Sequence, residues 1–285
     1  MLHPGKVLQN RYRVEALLGK GGMGNVYLAV HVRLKRPVAL KELVRITDNL
    51  HKQRQFEEQF ETEAQILANL SHPNLAGVTD YFIDDGNHYL VMEFIEGRTL
   101  TQIVELAPKN ISERRVLQWA SQLLDVLEYL HGQNPPVIVR DLKPDNVMLH
   151  SGDQRLRLID FGIAKRAQPG TGTIPIVKGV GTAEYAPLEQ YGDSNTDQRS
   201  DLYSLGGTLL YLLTGKAPVP AWKRGQDGAV LHDPREVNPT VSDHTWSVIQ
   251  QMMKLRAGDR PGSAAEVQAL LKLAPPQTRP PVTSV

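Results

Sequence analysis

The sequence predicts an α+β fold in two lobes, an antiparallel β-sheet with one helix followed by a mainly α-helical second lobe. Two patterns and the chain length predict it. Short alternating apolar segments, with one helical stretch among them, occupy the first hundred positions. From Ser112 onward apolar residues recur at three- and four-residue steps. The 285 residues exceed one minimal domain and suit two lobes around a cleft.

Strands are expected over Tyr12–Leu17, Asn25–Val30, Pro37–Glu42, Leu75–Phe82 and His88–Phe94. In the segment VALKE, Ala39 and Lys41 share one face of the strand while Val38 and Leu40 share the other. The helical stretch is Phe56–Leu70, where Phe60, Ala64, Leu67 and Leu70 form an apolar stripe. The boundary between lobes falls near Ile95–Gly97. Ser112 is a plausible N-cap for a helix that buries Val116, Ala120, Leu123, Leu127 and Leu130. Leu202–Leu213 is apolar on nearly every side, which places that helix in the middle of the second lobe. Ser263-Ala-Ala-Glu266 has the form of a capping box opening the last helix, up to about Leu273. One domain over residues 10–274 results, with lobes 10–95 and 97–274, and the proline-rich residues 275–285 form an extended linker or tail.

Composition narrows the function classes. Hydrophobic content of 41% with 22% charged residues is ordinary for a globular protein, and the net charge of +1 singles out neither nucleic acid nor membrane as partner. The absence of cysteine excludes disulfides, thiolate metal ligands and a cysteine nucleophile. The longest strongly apolar stretch, Leu205–Leu213, is too short to span a bilayer, and the first residues lack the apolar core of a secretion signal. A soluble, cytoplasmic piece with no membrane segment of its own is expected.

The chemistry concentrates in residues 139–162, VRDLKPDNVMLHSGDQRLRLIDFG. Phosphoryl transfer from ATP needs a carboxylate to orient and deprotonate a hydroxyl, a cation for the migrating charge, and oxygen ligands for Mg²⁺. Asp141, Lys143, Asn146 and Asp160 supply these in chain order. An Asp–Asn pair alone is more often turn chemistry; the joint spacing of four groups makes that reading improbable. Upstream, Gly19, Gly21 and Gly24 form G-x-G-x-x-G followed by Val26. Glycines there let a tight turn bring backbone N–H groups close to phosphate oxygens. A dinucleotide-binding fold uses the same spacing but continues into a helix, whereas NVYLAV is strand-like. A strand lysine such as Lys41 is usually an exposed charge. Glu63 shifts that balance, because it falls on the apolar stripe between Phe60 and Leu67, where a carboxylate is costly unless paired. A Lys41–Glu63 ion pair is therefore predicted, while Glu57, Glu58 and Glu61 read as a solvated face.

With the glycine loop and the VALK strand, the chain resembles the eukaryotic-type protein kinases of the serine/threonine branch, particularly their bacterial members. The resemblance implies the two-lobed protein kinase fold and ATP-dependent phosphorylation of serine and threonine hydroxyls, with ATP and Mg²⁺ as cofactors and Mn²⁺ as a possible substitute. It casts Asp141 as catalytic base, Lys143 as steadying the γ-phosphoryl group, and Asn146 and Asp160 as metal ligands. Lys41, supported by Glu63, would touch the α/β-phosphates. Leu18, Gly19, Gly21, Gly22, Gly24 and Val26 would cover the nucleotide, with Met92 as gatekeeper and the backbone of Glu93 and Ile95 on adenine. Val26, Ala39 and Met148 would sandwich the base, although any of the three could equally be plain core. Asp201 reads as a helix N-cap and, by the resemblance, as a tie to the catalytic-loop backbone; both can hold. Glu189 would pair with a buried Arg260. Arg140 beside Asp141 implies switching by phosphorylation of Thr171 or Thr173, whose phosphate Arg140 and Lys165 could pair with; Thr182 reads as structural.

Two departures from the family pattern stand out. Val139 replaces the usual His before Arg140-Asp141, keeping an apolar contact with Phe161 and Leu67 while losing a hydrogen bond. In Gly181-Thr-Ala-Glu-Tyr-Ala-Pro-Leu-Glu189 the proline has moved one place earlier, yet Glu189 stays in register. These departures allow one alternative, a nucleotide-binding pseudokinase scaffold. A small-molecule kinase would lack the segment from Asp160 to Glu189. The implied partners are protein substrates, ATP and a second copy for trans-autophosphorylation, with no nucleic acid. The resemblance also implies the cytoplasmic domain of a longer membrane-anchored protein.

Overall fold

The first hundred residues build β1 (Val7–Leu8), β2 (Tyr12–Gly21), β3 (Gly24–His31), β4 (Arg36–Leu43), β5 (Val78–Asp84) and β6 (Asn87–Glu93), with burial alternating along β3 and continuous through the centre of β6. They form one antiparallel sheet in the order β1-β2-β3-β4-β6-β5. The computed structural model describes residues 1–21, 24–43, 49–107, 110–160, 183–191 and 196–272, with residues 50, 52, 56, 59 and 63 described in backbone alone. The chain divides into two compact units, Met1–Arg98 with Asn146–Gly181, and Thr99–Asp145 with Thr182–Val285.

One face of the six-stranded sheet is apolar core. Tyr27, Leu40 and Val91 lie in register across β3, β4 and β6 and are 1% exposed or less. Each side chain of this kind contributes about 1.5–3 kcal/mol by leaving water. Aromatic rings continue the cluster, Tyr12 stacking on Phe82 at 5.5 Å and Phe82 on Tyr89 at 5.2 Å.

Helix α1 (Leu50–Ala68) buries Phe60, Ala64 and Leu67 of the predicted stripe but ends before Leu70, which is half-buried, and Phe60 meets Tyr81 of β5. It starts six residues before the expected Phe56. The added turns are polar and carry no apolar period, so their helicity rests on propensity and on Asn49, whose side chain accepts from His51 N–H at 3.1 Å. The predicted strand at Leu75 begins only at Val78. Leu75 instead bridges to Leu158, because Leu158 N–H donates to Asn74 O and Ala76 N–H to Leu158 O. These bonds join the strand pair β8 (Val147–His150) and β9 (Leu156–Leu158) to the first unit, where with β7 (Gly97–Thr99) they form a three-stranded sheet.

The second unit is helical. It contains α2 (Leu100–Leu106), α3 (Glu113–His131), α4 (Gln198–Thr214), α5 (Ala221–Gln226), α6 (Asp243–Met252) and α7 (Ala264–Leu270). Ser112 is the N-cap residue of α3 but makes no side-chain cap bond; the neighbouring Glu113 accepts from Ser242 N–H and hydroxyl. Nearly every residue of α4 is buried, as its unbroken apolar run predicts. At Gly206 a Cβ would lie 2.8 Å from Met253 Cγ and 3.1 Å from Met252 Cβ, so glycine there sets the close approach of α4 to the end of α6. Ser263 caps α7 by accepting from Glu266 N–H, while the Glu266 carboxylate reaches back to Gly262 N–H, one residue before the cap. The helix ends at Leu270, short of Leu273. Among the described residues no helix is long and apolar enough to cross a membrane.

Candidate active site

The glycine segment forms a hairpin. Gly19 pairs with Val26, Lys20 with Asn25 and Gly21 with Gly24, and Gly22 lies outside the described residues. Strand follows the last glycine, which is what separates this loop from a dinucleotide-binding turn. Register shifts at Val14/Ala16 and Leu17/Gly19 bend β2, and Leu18 stands half exposed. Gly24 tolerates no side chain, because a Cβ there would sit 2.0 Å from the Glu42 backbone oxygen.

Residues opposite one another in an antiparallel pair share a face. Val26 lies opposite Lys41, and Ala39 opposite Met92, so Gly19, Val26, Ala39, Lys41 and Met92 share the face turned away from the aromatic cluster. Met92 and Ile95 are buried, Val26 and Ala39 half-buried and Glu93 exposed, its N–H donating to Gly77 O at 2.8 Å. Met148 is half-buried in β8, opposite Arg157 of β9.

On that same face, Lys41 Nζ donates to Asp160 Oδ1 at 2.6 Å across 119 positions of sequence. The contact is a short, charge-assisted bond, and the lysine side chain is only 10% exposed. Glu63, the partner expected for Lys41, stands on α1, and its side chain lies outside the described residues. Asn146 is buried, and its backbone oxygen accepts from the N–H of Ile159, the residue before Asp160. The Asn146 amide and the Asp160 carboxylate are oxygen donors of the kind that suit Mg²⁺, which takes one or two protein oxygens and completes its shell with phosphates and water.

The second unit holds Asp141 and Lys143, whose side chains approach to 3.2 Å. The loop that carries them is anchored by Asp201. Its fully buried carboxylate accepts from Val139 N–H at 2.9 Å and Arg140 N–H at 2.8 Å, and lies 2.8 Å from His131 Nε2. Arg140 itself has φ of 62°. Of the two readings of Asp201, the tie to the loop backbone agrees with this geometry. The N-cap reading does not: Asp197, four residues earlier, caps α4 by accepting from Arg199 N–H. The sequence reading also missed His131, the last residue of α3, which meets Asp201 across 70 positions. Its only signal was a histidine closing an apolar helix.

Arg260 and Glu189 form a bidentate pair at 2.6 and 3.0 Å. Burial alone would push the Glu189 carboxyl up, but the hydrogen bonds and charge of Arg260, with a bond from Ser200, hold it below the usual carboxylate range. Ser204 bonds Tyr185 O and Tyr191 bonds Ala183 O, so the segment carrying the displaced Pro187 is fixed at several points. Val139 is fully buried. Its expected neighbour Phe161, together with Lys165, Thr171, Thr173 and Thr182, lies outside the described residues.

A model of the protein kinase domain matches residues 12–271. Serine/threonine-protein kinase B of Synechocystis sp. is 37% identical over 93% of this chain and 47% of its own length. Serine/threonine-protein kinase pkn2 of Myxococcus xanthus is 36% identical over 94% of this chain and 33% of its own. The chain thus spans half or less of the length of these curated relatives. Among solved structures, the PpkA-294 apo form superposes with a TM-score of 0.79 at 25% identity, covering 95% of this chain and 99% of that one. The Mycobacterium tuberculosis PknI kinase domain gives 0.70 at 27% identity, covering 95% and 99%.

Proposed function

The chain belongs to the protein kinase family, and we propose that it transfers the γ-phosphoryl group of ATP to serine and threonine hydroxyls of proteins. The observation that supports this most is the 2.6 Å contact between Lys41 and Asp160, two side chains far apart in sequence whose joint presence phosphate and metal handling requires. Asp141 orients the acceptor hydroxyl and takes its proton as the new P–O bond forms, while the bond to the β-phosphate oxygen breaks and ADP leaves with the electron pair. Lys143 supplies positive charge to the migrating group. Lys41 holds the α/β-phosphates with Glu63 as its second partner. Asn146 and Asp160 hold Mg²⁺, for which Mn²⁺ can substitute, and the ion neutralises charge on the phosphates when bound. The glycine hairpin from Leu18 to Val26 covers the nucleotide, with Ala39, Met92, Glu93, Ile95 and Met148 around adenine.

We place this domain at residues 10–274, with lobes 10–95 and 97–274 and a tail over 275–285, acting in the cytoplasm as the catalytic part of a longer protein. Incubation with labelled ATP, Mg²⁺ and a generic basic protein should leave acid-stable label on serine or threonine, and at least about 100-fold less with Asp141→Asn. Nucleotide binding without transfer by the unmodified chain would mark a scaffold instead.

Autophosphorylation between two copies should place phosphate on Thr171 or Thr173, where Arg140 and Lys165 can pair with it. Mass spectrometry after ATP incubation reads this directly. No phosphate between residues 163 and 182 would refute it.

A further inference from the structure

Glu42 follows Lys41 in β4 and therefore points to the opposite face of the sheet, where it is 6% exposed. Among the described residues no cation lies within ion-pair distance of it. Among the described residues its carboxylate is held by neutral donors. Oε2 accepts from Asn25 Nδ2 and from the Tyr27 hydroxyl, each at 2.9 Å, and Oε1 accepts from the Tyr89 hydroxyl at 3.1 Å. A carboxylate so buried is costly unless every oxygen is bonded. None of the steps of phosphoryl transfer uses it.

Its partners lie on both flanking strands. Asn25 and Tyr27 belong to β3, the arm on which the glycine hairpin returns, and Asn25 directly follows Gly24. At Gly24 the β3 backbone already approaches Glu42 so closely that no Cβ fits. Glu42 therefore grips the returning arm twice, by its main chain at Gly24 and by its side chain at Asn25 and Tyr27. Tyr89 lies on β6, on the other side of β4 from the hairpin. Burial first, and then the charge of Glu42, push its hydroxyl pKa well up, which keeps it a donor.

We propose that Glu42 is a positioning residue for the glycine hairpin, its carboxylate fixing Asn25 and Tyr27 so that the hairpin is preorganised for nucleotide phosphates. This rests on the kinase reading in that ATP is the ligand whose affinity it sets. What matters is the acceptor geometry and not the charge. With glutamine at this position, the amide oxygen can take the place of Oε2 and its NH₂ can donate to the Tyr89 oxygen.

Four variants test it, each assayed well below its own melting temperature. Glu42→Ala and Asn25→Ala should each raise the Kd for a non-hydrolysable ATP analogue and KM for ATP about 5- to 10-fold, with kcat at saturation nearly unchanged. Glu42→Gln should stay within about 2-fold of the unmodified chain by the same reckoning. Tyr89→Phe should lower Tm and leave both constants alone. Amide hydrogen exchange over residues 19–26 without nucleotide reads the same hold independently of ATP, and should quicken in Glu42→Ala and Asn25→Ala only. If hairpin exchange in Glu42→Ala matches Tyr89→Phe, or if Glu42→Gln behaves like Glu42→Ala, the proposal is overturned. An unmodified chain that binds no ATP while its hairpin exchange follows this pattern would overturn the kinase reading and uphold the positioning role.

Discussion

Replacing Asp141 with asparagine should lower kcat about 10²- to 10⁴-fold, the range general acid–base catalysis contributes, equivalent to roughly 3–5 kcal/mol on the barrier. The change is nearly isosteric, so the loop geometry set by Asp201 on Val139 and Arg140 is untouched. Two things are lost. An amide cannot take the proton released by the attacking hydroxyl, and Lys143, 3.2 Å from the carboxylate, loses the charge that orients it. The nucleotide half of the machinery, centred on Lys41 and Asp160, keeps its own contact. The affinity for ATP should therefore change little while turnover collapses. Steady-state kinetics beside a binding titration checks this split, and transfer within about 10-fold of the unmodified rate would remove Asp141 from the role of base.

Arg260→Ala should be the most destabilising single change in the second unit, at about 3–5 kcal/mol, the cost of breaking a buried ion pair by deleting one partner. The Arg260 side chain is fully buried and bonds both oxygens of Glu189 and the backbone oxygens of Lys254, Arg199 and Leu255. Its guanidinium also lies 4.8 Å from the Tyr203 ring centroid. Truncation removes the charge partner of a buried carboxylate and one donor from each of three carbonyl oxygens at once. Thermal unfolding should register a fall of roughly 6–20 °C. Glu189→Gln keeps an acceptor for the arginine and should cost less. The pH dependence carries a definite sign. Because the folded carboxyl lies below its ordinary 4.5, the pair stabilises fully above that value, and the gain is lost as pH falls through the folded value. In Arg260→Ala this part of the acid sensitivity should disappear. A melting temperature within about 2 °C of the unmodified chain would refute the assignment.

The motifs were legible because they are local. Asp141, Lys143 and Asn146 lie within six positions, and the glycine hairpin announces itself by the strand that follows it. The partner expected for Lys41 was Glu63, and its contact with Asp160, 119 positions away, was not foreseen. Less legible were relations settled only by tertiary packing. Whether Asp197 or Asp201 caps α4 depends on where the helix begins, and both fit the rule for a cap. The attachment of β9 to Asn74 and Ala76 is made by backbone groups, which leave no trace in side-chain pattern. The early start of α1 lies in polar residues, where apolar periodicity has nothing to count. Alternation puts Glu42 on the strand face of Val38 and Leu40, but nothing in the sequence announces the three donors around it.

Arg140 holds a backbone conformation that a residue with a Cβ occupies at a cost of about 1–2 kcal/mol. Glycine would sit there without that steric penalty. The chain therefore forfeits folding energy to keep a guanidinium at this one place. The two N–H bonds to Asp201 are what make the sacrifice tolerable. Backbone strain of this kind clusters at functional sites, where the surrounding structure holds it in place.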